Sequence, residues 1–133
     1  MIGLLIATHG RLGSSLIECA VHVLGHRPDL LEALDLTLFD DTDSMLRAAH
    51  EQIEHLDTGE GVLVLTDLYG STPCNTVCKL MQPGRVEAVA GVNVPMLLKA
   101  LNYRGESLPL LADRAAGGGR EGAFHIRFDR CDA

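Results

Sequence analysis

Residues 1–10 read MIGLLIATHG. From Met1 to Thr8 the run is apolar without alternation, the pattern of a parallel strand covered on both faces. His9-Gly10 then breaks it. The same pattern returns at Gly61–Thr66 (GVLVLT) and, in shorter form, at Val86–Ala90. Leu30–Phe39 reads as the second strand. Between these runs lie helical spacings. Leu12–Leu24 places Leu12, Leu16, Ala20, Val23 and Leu24 on one face, with Gly25 as the stop. Asp40, Asp41, Thr42 and Asp43 offer caps for a helix over Ser44–Leu56 with the stripe Met45, Ala49, Ile53 and Leu56. Thr72-Pro73 opens the next helix, proline losing nothing at the first helical position. Val94–Tyr103 and Leu108–Ala116 complete the helices, the last ended by Gly117, Gly118 and Gly119. In the tail, Phe124, Ile126 and Phe128 alternate with His125 and Arg127, which reads as an edge strand over Ala123–Phe128.

Strands alternating with helices imply a single α/β domain over residues 1–133, a doubly wound, mostly parallel sheet with helices on both faces. Hydrophobic residues at 47% and charged residues at 22% fit one packed core. With aromatics at 4%, that core must be aliphatic. The formal charge is −7 and Lys and Arg form no run, which disfavours a nucleic-acid binder and suits a partner with a basic face. Ile2–Ala7 is too short for an export leader, and nothing approaches the roughly 20 apolar residues of a membrane span. A cytoplasmic protein without direct membrane insertion is expected. Cys19, Cys74, Cys78 and Cys131 lack CxxC spacing and are expected as reduced thiols.

In open α/β sheets ligands bind beyond the carboxyl ends of the strands, where strand order reverses. For the order 2-1-3-4-5 that point lies between strands 1 and 3. Thr8-His9-Gly10-Arg11 follows the first, and Asp67-Leu68-Tyr69-Gly70-Ser71-Thr72-Pro73 follows the third. A carboxylate accepting one ring N–H leaves the other imidazole nitrogen as a nucleophile and steadies positive charge on the ring. Phosphoryl transfer asks mainly for positioning and charge stabilisation. Gly10 permits close backbone approach, the helix opening at Thr72 offers amide donors to an anion, and Thr72 adds a hydroxyl. Gly10, Gly70 and Ser71 are the phosphate-binding candidates. No metal or cofactor is called for. A histidine after a strand is by itself more often a hydrogen-bonded surface residue; Asp67, the capped helix and the glycines shift the balance to function.

These residues carry a resemblance. LLIATHGRLG around His9, GVLVLTDLYGSTPCN from Gly61 to Asn75, AGVNVPML from Ala90 to Leu97 and GREG from Gly119 to Gly122 resemble the IIA component of the mannose class of the sugar phosphotransferase system (PTS), in that family's order and spacing. The resemblance implies that His9 carries the phosphoryl group, that Asp67 supports it and that Thr72 supplies a nearby hydroxyl. It implies a five-stranded sheet whose last strand is antiparallel, and a homodimer formed by exchanging that strand. It also implies phospho-HPr as donor, a IIB protein as acceptor, and a phosphotransferase component rather than an ATP-dependent kinase. A regulatory sensor, or a phosphoryl donor component for a dihydroxyacetone kinase, are alternatives within the same chemistry. The family usually has two glycines before Ser/Thr-Pro; here the second is Ser71.

Other patterns recede. Cys74 and Cys78 share an apolar stripe with Val77 and Met81, so buried thiols are expected there. His22 and His26 have metal-compatible spacing but no completing ligand. His50, His55 and His125 take no role. The glycine run at 117–119 is a terminator, and neither GxxxxGK[ST] nor GxGxxG after a strand occurs. Histidine phosphatases put arginine immediately before the histidine, where this chain has Thr8.

Overall fold

The computed structural model describes residues 1–70 and 72–130, without the side chains of Thr72, Pro73, Cys74 and Arg130. The apolar runs become the strands β1 (Gly3–Thr8), β2 (Leu31–Asp35), β3 (Val62–Thr66) and β4 (Val86–Ala90). The helices are α1 (Leu12–Leu24), α2 (Thr42–Leu56), α3 (Thr72–Leu80), α4 (Val94–Asn102) and α5 (Leu108–Glu121), with 3-10 turns at Leu36–Leu38 and Phe128–Arg130. The sheet order is β2-β1-β3-β4, every pair parallel. In register, Ala7 lies opposite Thr66, and Thr8 opposite Asp35.

Alternate residues of each central strand feed two cores. Leu4 and Ile6 of β1 and Leu63 and Leu65 of β3 pack with α1, α4 and α5; Leu5, Ala7, Val62 and Val64 pack with α2 and α3. Both faces are therefore dry, which is why the strand sequences do not alternate. The α2 stripe is Met45, Ala49, Ile53 and Leu56, as its spacing predicts, and Asp41 Oδ1 accepts the Ser44 amide at 2.7 Å as cap. At the end of the sheet away from the strands' carboxyl termini, the buried Arg104 guanidinium donates to the carbonyls of Ile2, Asp29 and Leu30. It fastens the entries of β1 and β2, a role its lone position in the sequence does not signal.

Several expectations are corrected. Among the described residues the sheet has four strands, not five, and the antiparallel edge strand at Ala123–Phe128 does not form. Alternation supplies a face but not a neighbouring backbone to pair with; Phe124, Ile126 and Phe128 stand 74%, 65% and 93% exposed. The second strand ends at Asp35 rather than Phe39, because Asp35 Oδ1 takes the Thr37 amide at 2.9 Å and turns the chain. On α1 the buried face is Gly13, Leu16, Ile17 and Ala20, while Leu12 and Val23 are exposed. That set follows i, i+3, i+4, i+7, one step round from the expected stripe.

The glycine run does not stop α5, which continues to Glu121. A Cβ on Gly118 would lie 2.7 Å from Lys99 Cβ, and one on Gly119 would lie 2.7 Å from Met96 Cε; one on Gly122 would collide with Pro95. These glycines let α5 lie directly on α4. Gly117 has nothing within 4 Å of its would-be Cβ. Gly117→Ala should therefore stabilise the protein by up to about 1 kcal/mol through helix propensity. Gly118→Ala should destabilise it by about 1–3 kcal/mol through crowding, despite the same propensity gain. Urea denaturation of the two variants reads both signs; equal effects would refute the packing account.

Candidate functional site

Because β1 and β3 are neighbours in register, their carboxyl ends bring His9 and Asp67 together. One carboxylate oxygen, Asp67 Oδ2, accepts the His9 backbone amide at 3.1 Å and lies 2.8 Å from His9 Nδ1. The other, Oδ1, accepts the Leu68 amide at 2.9 Å. Backbone and ring of His9 are thus tied to the same atom, which sets both where the residue sits and how its imidazole is turned. The His9 side chain is 46% exposed and that of Asp67 15%.

Burial pushes the Asp67 carboxyl up, but the His9 ring, the His9 and Leu68 amides and the ring's charge together hold it below its ordinary value. Asp67 is therefore ionised at neutral pH and can only accept. The proton shared with His9 belongs on Nδ1, leaving the Nε2 lone pair available. Among the described residues, no group of three or more His, Cys, Asp or Glu side chains is arranged to hold a metal.

The surrounding backbone is braced as well. The Gly91 amide donates to the Asp67 carbonyl at 2.8 Å and the Val92 amide to the Thr66 carbonyl at 3.0 Å, so the β4–α4 loop holds the end of β3. On the other side, Thr8 is wholly buried and its Oγ1 accepts the Gly13 amide at 3.0 Å. Neither bracing contact belongs to a recognisable motif. The signals were there, in the GVN stretch after β4 and in a polar Thr8 ending an apolar strand. Gly10 adopts φ +57°, a conformation that favours glycine and carries the chain from His9 into α1. Gly70 is also left-handed at φ +84°. Ser71 and the Thr72 side chain lie outside the described residues; the Thr72 backbone opens α3.

Two further expectations resolve here. Cys78 is exposed rather than buried, as is Cys19, because the buried position on that part of α3 belongs to Val77. His22 and His26 are exposed.

A family model described as "PTS system fructose IIA component" matches residues 3–116. The chain belongs to that family. Its relatives include the "PTS system mannose-specific EIIAB component" of Escherichia coli (strain K12), 32% identical over 129 residues, covering 95% of this chain and 40% of that protein. The "PTS system fructose-specific EIIA component" of Bacillus subtilis (strain 168) is 28% identical over 105 residues, covering 78% of this chain and 71% of that one. The chain thus spans well under half the length of the EIIAB relative. The crystal structure of the phosphotransferase system component EIIA from Streptococcus agalactiae superposes with a TM-score of 0.83 at 24% identity, covering 98% of this chain and 100% of that one. That likeness establishes the shared fold. Among the described residues no helix of this IIA chain is long and apolar enough to cross a membrane.

The depressed pKa of Asp67 fixes a pH signature. A carboxylate whose folded pKa lies below its unfolded value stabilises the fold above that unfolded value and loses the contribution as pH falls through the folded one. Asp67→Asn should therefore be less stable than the parent near neutral pH, and the gap should close on acidification below the ordinary carboxyl value of 3.8. Urea titrations of both proteins at a series of pH values check this; a gap that widens in acid would contradict it.

Proposed function

We propose that this chain is a phosphocarrier of sugar uptake, in which His9 accepts a phosphoryl group from phospho-HPr and passes it to a IIB protein in the cytoplasm. The observation that carries this reading is the 2.8 Å contact between Asp67 Oδ2 and His9 Nδ1 beside a half-exposed ring. The Nε2 lone pair attacks phosphorus, the bond from phosphorus to the donor breaks, and its electron pair leaves with the donor. The Nδ1 proton stays on the ring, and the Asp67 charge balances the imidazolium formed. Delivery to the acceptor reverses these steps. The amide donors at the start of α3, with Thr72, Gly10, Gly70 and Ser71, supply the remaining anion contacts.

Leu38, Leu68 and Tyr69 are exposed on the loops that follow β2 and β3, at the same end of the sheet as His9. Such an apolar rim suits a protein partner, and the formal charge of −7 suits one with a basic face. The relatives named above carry sugar-specific PTS names, which favours transport over the regulatory and dihydroxyacetone-kinase alternatives. We also propose a homodimer in which a second copy covers Phe124, Ile126 and Phe128.

Incubation with enzyme I, HPr and phosphoenolpyruvate should load one acid-labile, base-stable phosphate, located on His9 by mass spectrometry. His9→Ala should take up none. Asp67→Ala should fold and label more slowly, on the order of a hundredfold. Full labelling of His9→Ala would falsify the assignment. For the dimer, sedimentation should give twice the chain mass, and the double variant Phe124→Asp, Ile126→Asp should sediment as a monomer; an unmutated chain that is monomeric at high concentration rules it out.

A further inference from the structure

We infer that Thr8 is a positioning residue for the phosphoryl-accepting histidine, acting through its hydroxyl on the far end of the loop that carries His9. The inference rests on the phosphocarrier reading for its kinetic arm only.

Four residues, His9 to Leu12, separate Thr8 from Gly13. Thr8 closes β1, is fully buried, and sends Oγ1 across this loop to the Gly13 amide at 3.0 Å. Gly13 sits in the first turn of α1, where backbone amides have no helical acceptor. The residue in the capping position, Arg11, makes no side-chain cap bond, so Thr8 supplies a cap from the strand instead. The helix start has little slack: a Cβ on Gly13 would lie 3.1 Å from both Ala33 Cβ and the Ile6 carbonyl oxygen. A buried amide there is costly to leave unpaired.

The loop is consequently pinned twice. Asp67 holds its first residue by amide and ring, and Thr8 holds its exit into α1. Asp67 alone fixes the imidazole relative to β3, while the turn through the left-handed Gly10 remains free to pivot. With the exit also fixed, Nε2 is presented in one direction. Reaching an attack geometry on phosphorus depends on placement within fractions of an ångström, and misplacement by about 1 Å can cost roughly a hundredfold in rate.

The test compares Thr8→Val and Thr8→Ala, which remove the hydroxyl with and without retaining bulk, against Thr8→Ser, which keeps the oxygen. At saturating phospho-HPr, transfer to His9 should slow by roughly tenfold to a hundredfold in the first two, with little change in KM. Thr8→Ser should keep the parental rate. In the unphosphorylated proteins, the His9 Nδ1–H resonance should be sharp in the parent and in Thr8→Ser, and should broaden or be lost to exchange in Thr8→Val and Thr8→Ala. Parental rate and resonance in folded Thr8→Val, or a Thr8→Ser variant as slow as the others, overturns the inference. Should neither hydroxyl-free variant fold, amide exchange in the parent decides: a Gly13 amide exchanging as fast as those of exposed loops refutes the bond. If the parent chain takes no label, the phosphocarrier reading fails, and the resonance comparison still judges Thr8.

Discussion

Asp67 Oδ2 accepts two N–H groups from one residue, the amide and the ring of His9. That shared acceptor is possible only because β1 and β3 lie side by side in parallel register, ending at the same level. A strand order that separated β1 from β3 would part the two side chains. The chemistry of the site follows from the pairing: an ionised carboxylate fixes the tautomer, the tautomer frees Nε2, and the strand ends direct it outward.

The rest of the molecule keeps that pairing invariant. Leucine, isoleucine, valine and alanine from the central strands fill cores on both faces, so neither strand can shift without opening a void in two layers. Arg104 secures the entries to β1 and β2 at the opposite end. At the site end, the β4–α4 loop grips the carbonyls of Thr66 and Asp67. The acid at Asp67 is mostly covered yet remains charged, because three N–H donors outweigh the cost of removing it from water.

The sequence revealed most of what depends on local chemistry. Runs such as LLIA and VLVL admit little besides buried parallel strands, and the residues at their carboxyl ends were His9 and Asp67. It was misleading where tertiary packing overrode a local rule. Gly117–Gly119 has the composition of a helix stop, yet α5 passes through because α4 needs room at Gly118 and Gly119. The tail alternates like a strand, yet alternation is a property of side chains and a ladder is made by backbones, and among the described residues no fifth strand joins the sheet. Asp35 cut β2 short through a side-chain bond that a hydropathy pattern does not register. Thr8 and Arg104 are visible as polar letters, but their partners are a backbone amide and backbone carbonyls, which every residue possesses and no letter of the sequence distinguishes.

The half-exposure of His9 has a cost as well as a use. The His9 side chain is 46% exposed, so under the proposed reading a phosphoryl group placed there would be in transit rather than in storage. Retention is a race between handover and hydrolysis. A carrier of the proposed kind would favour brief encounters and quick turnover, its occupancy following the momentary supply of donor instead of preserving a record of it.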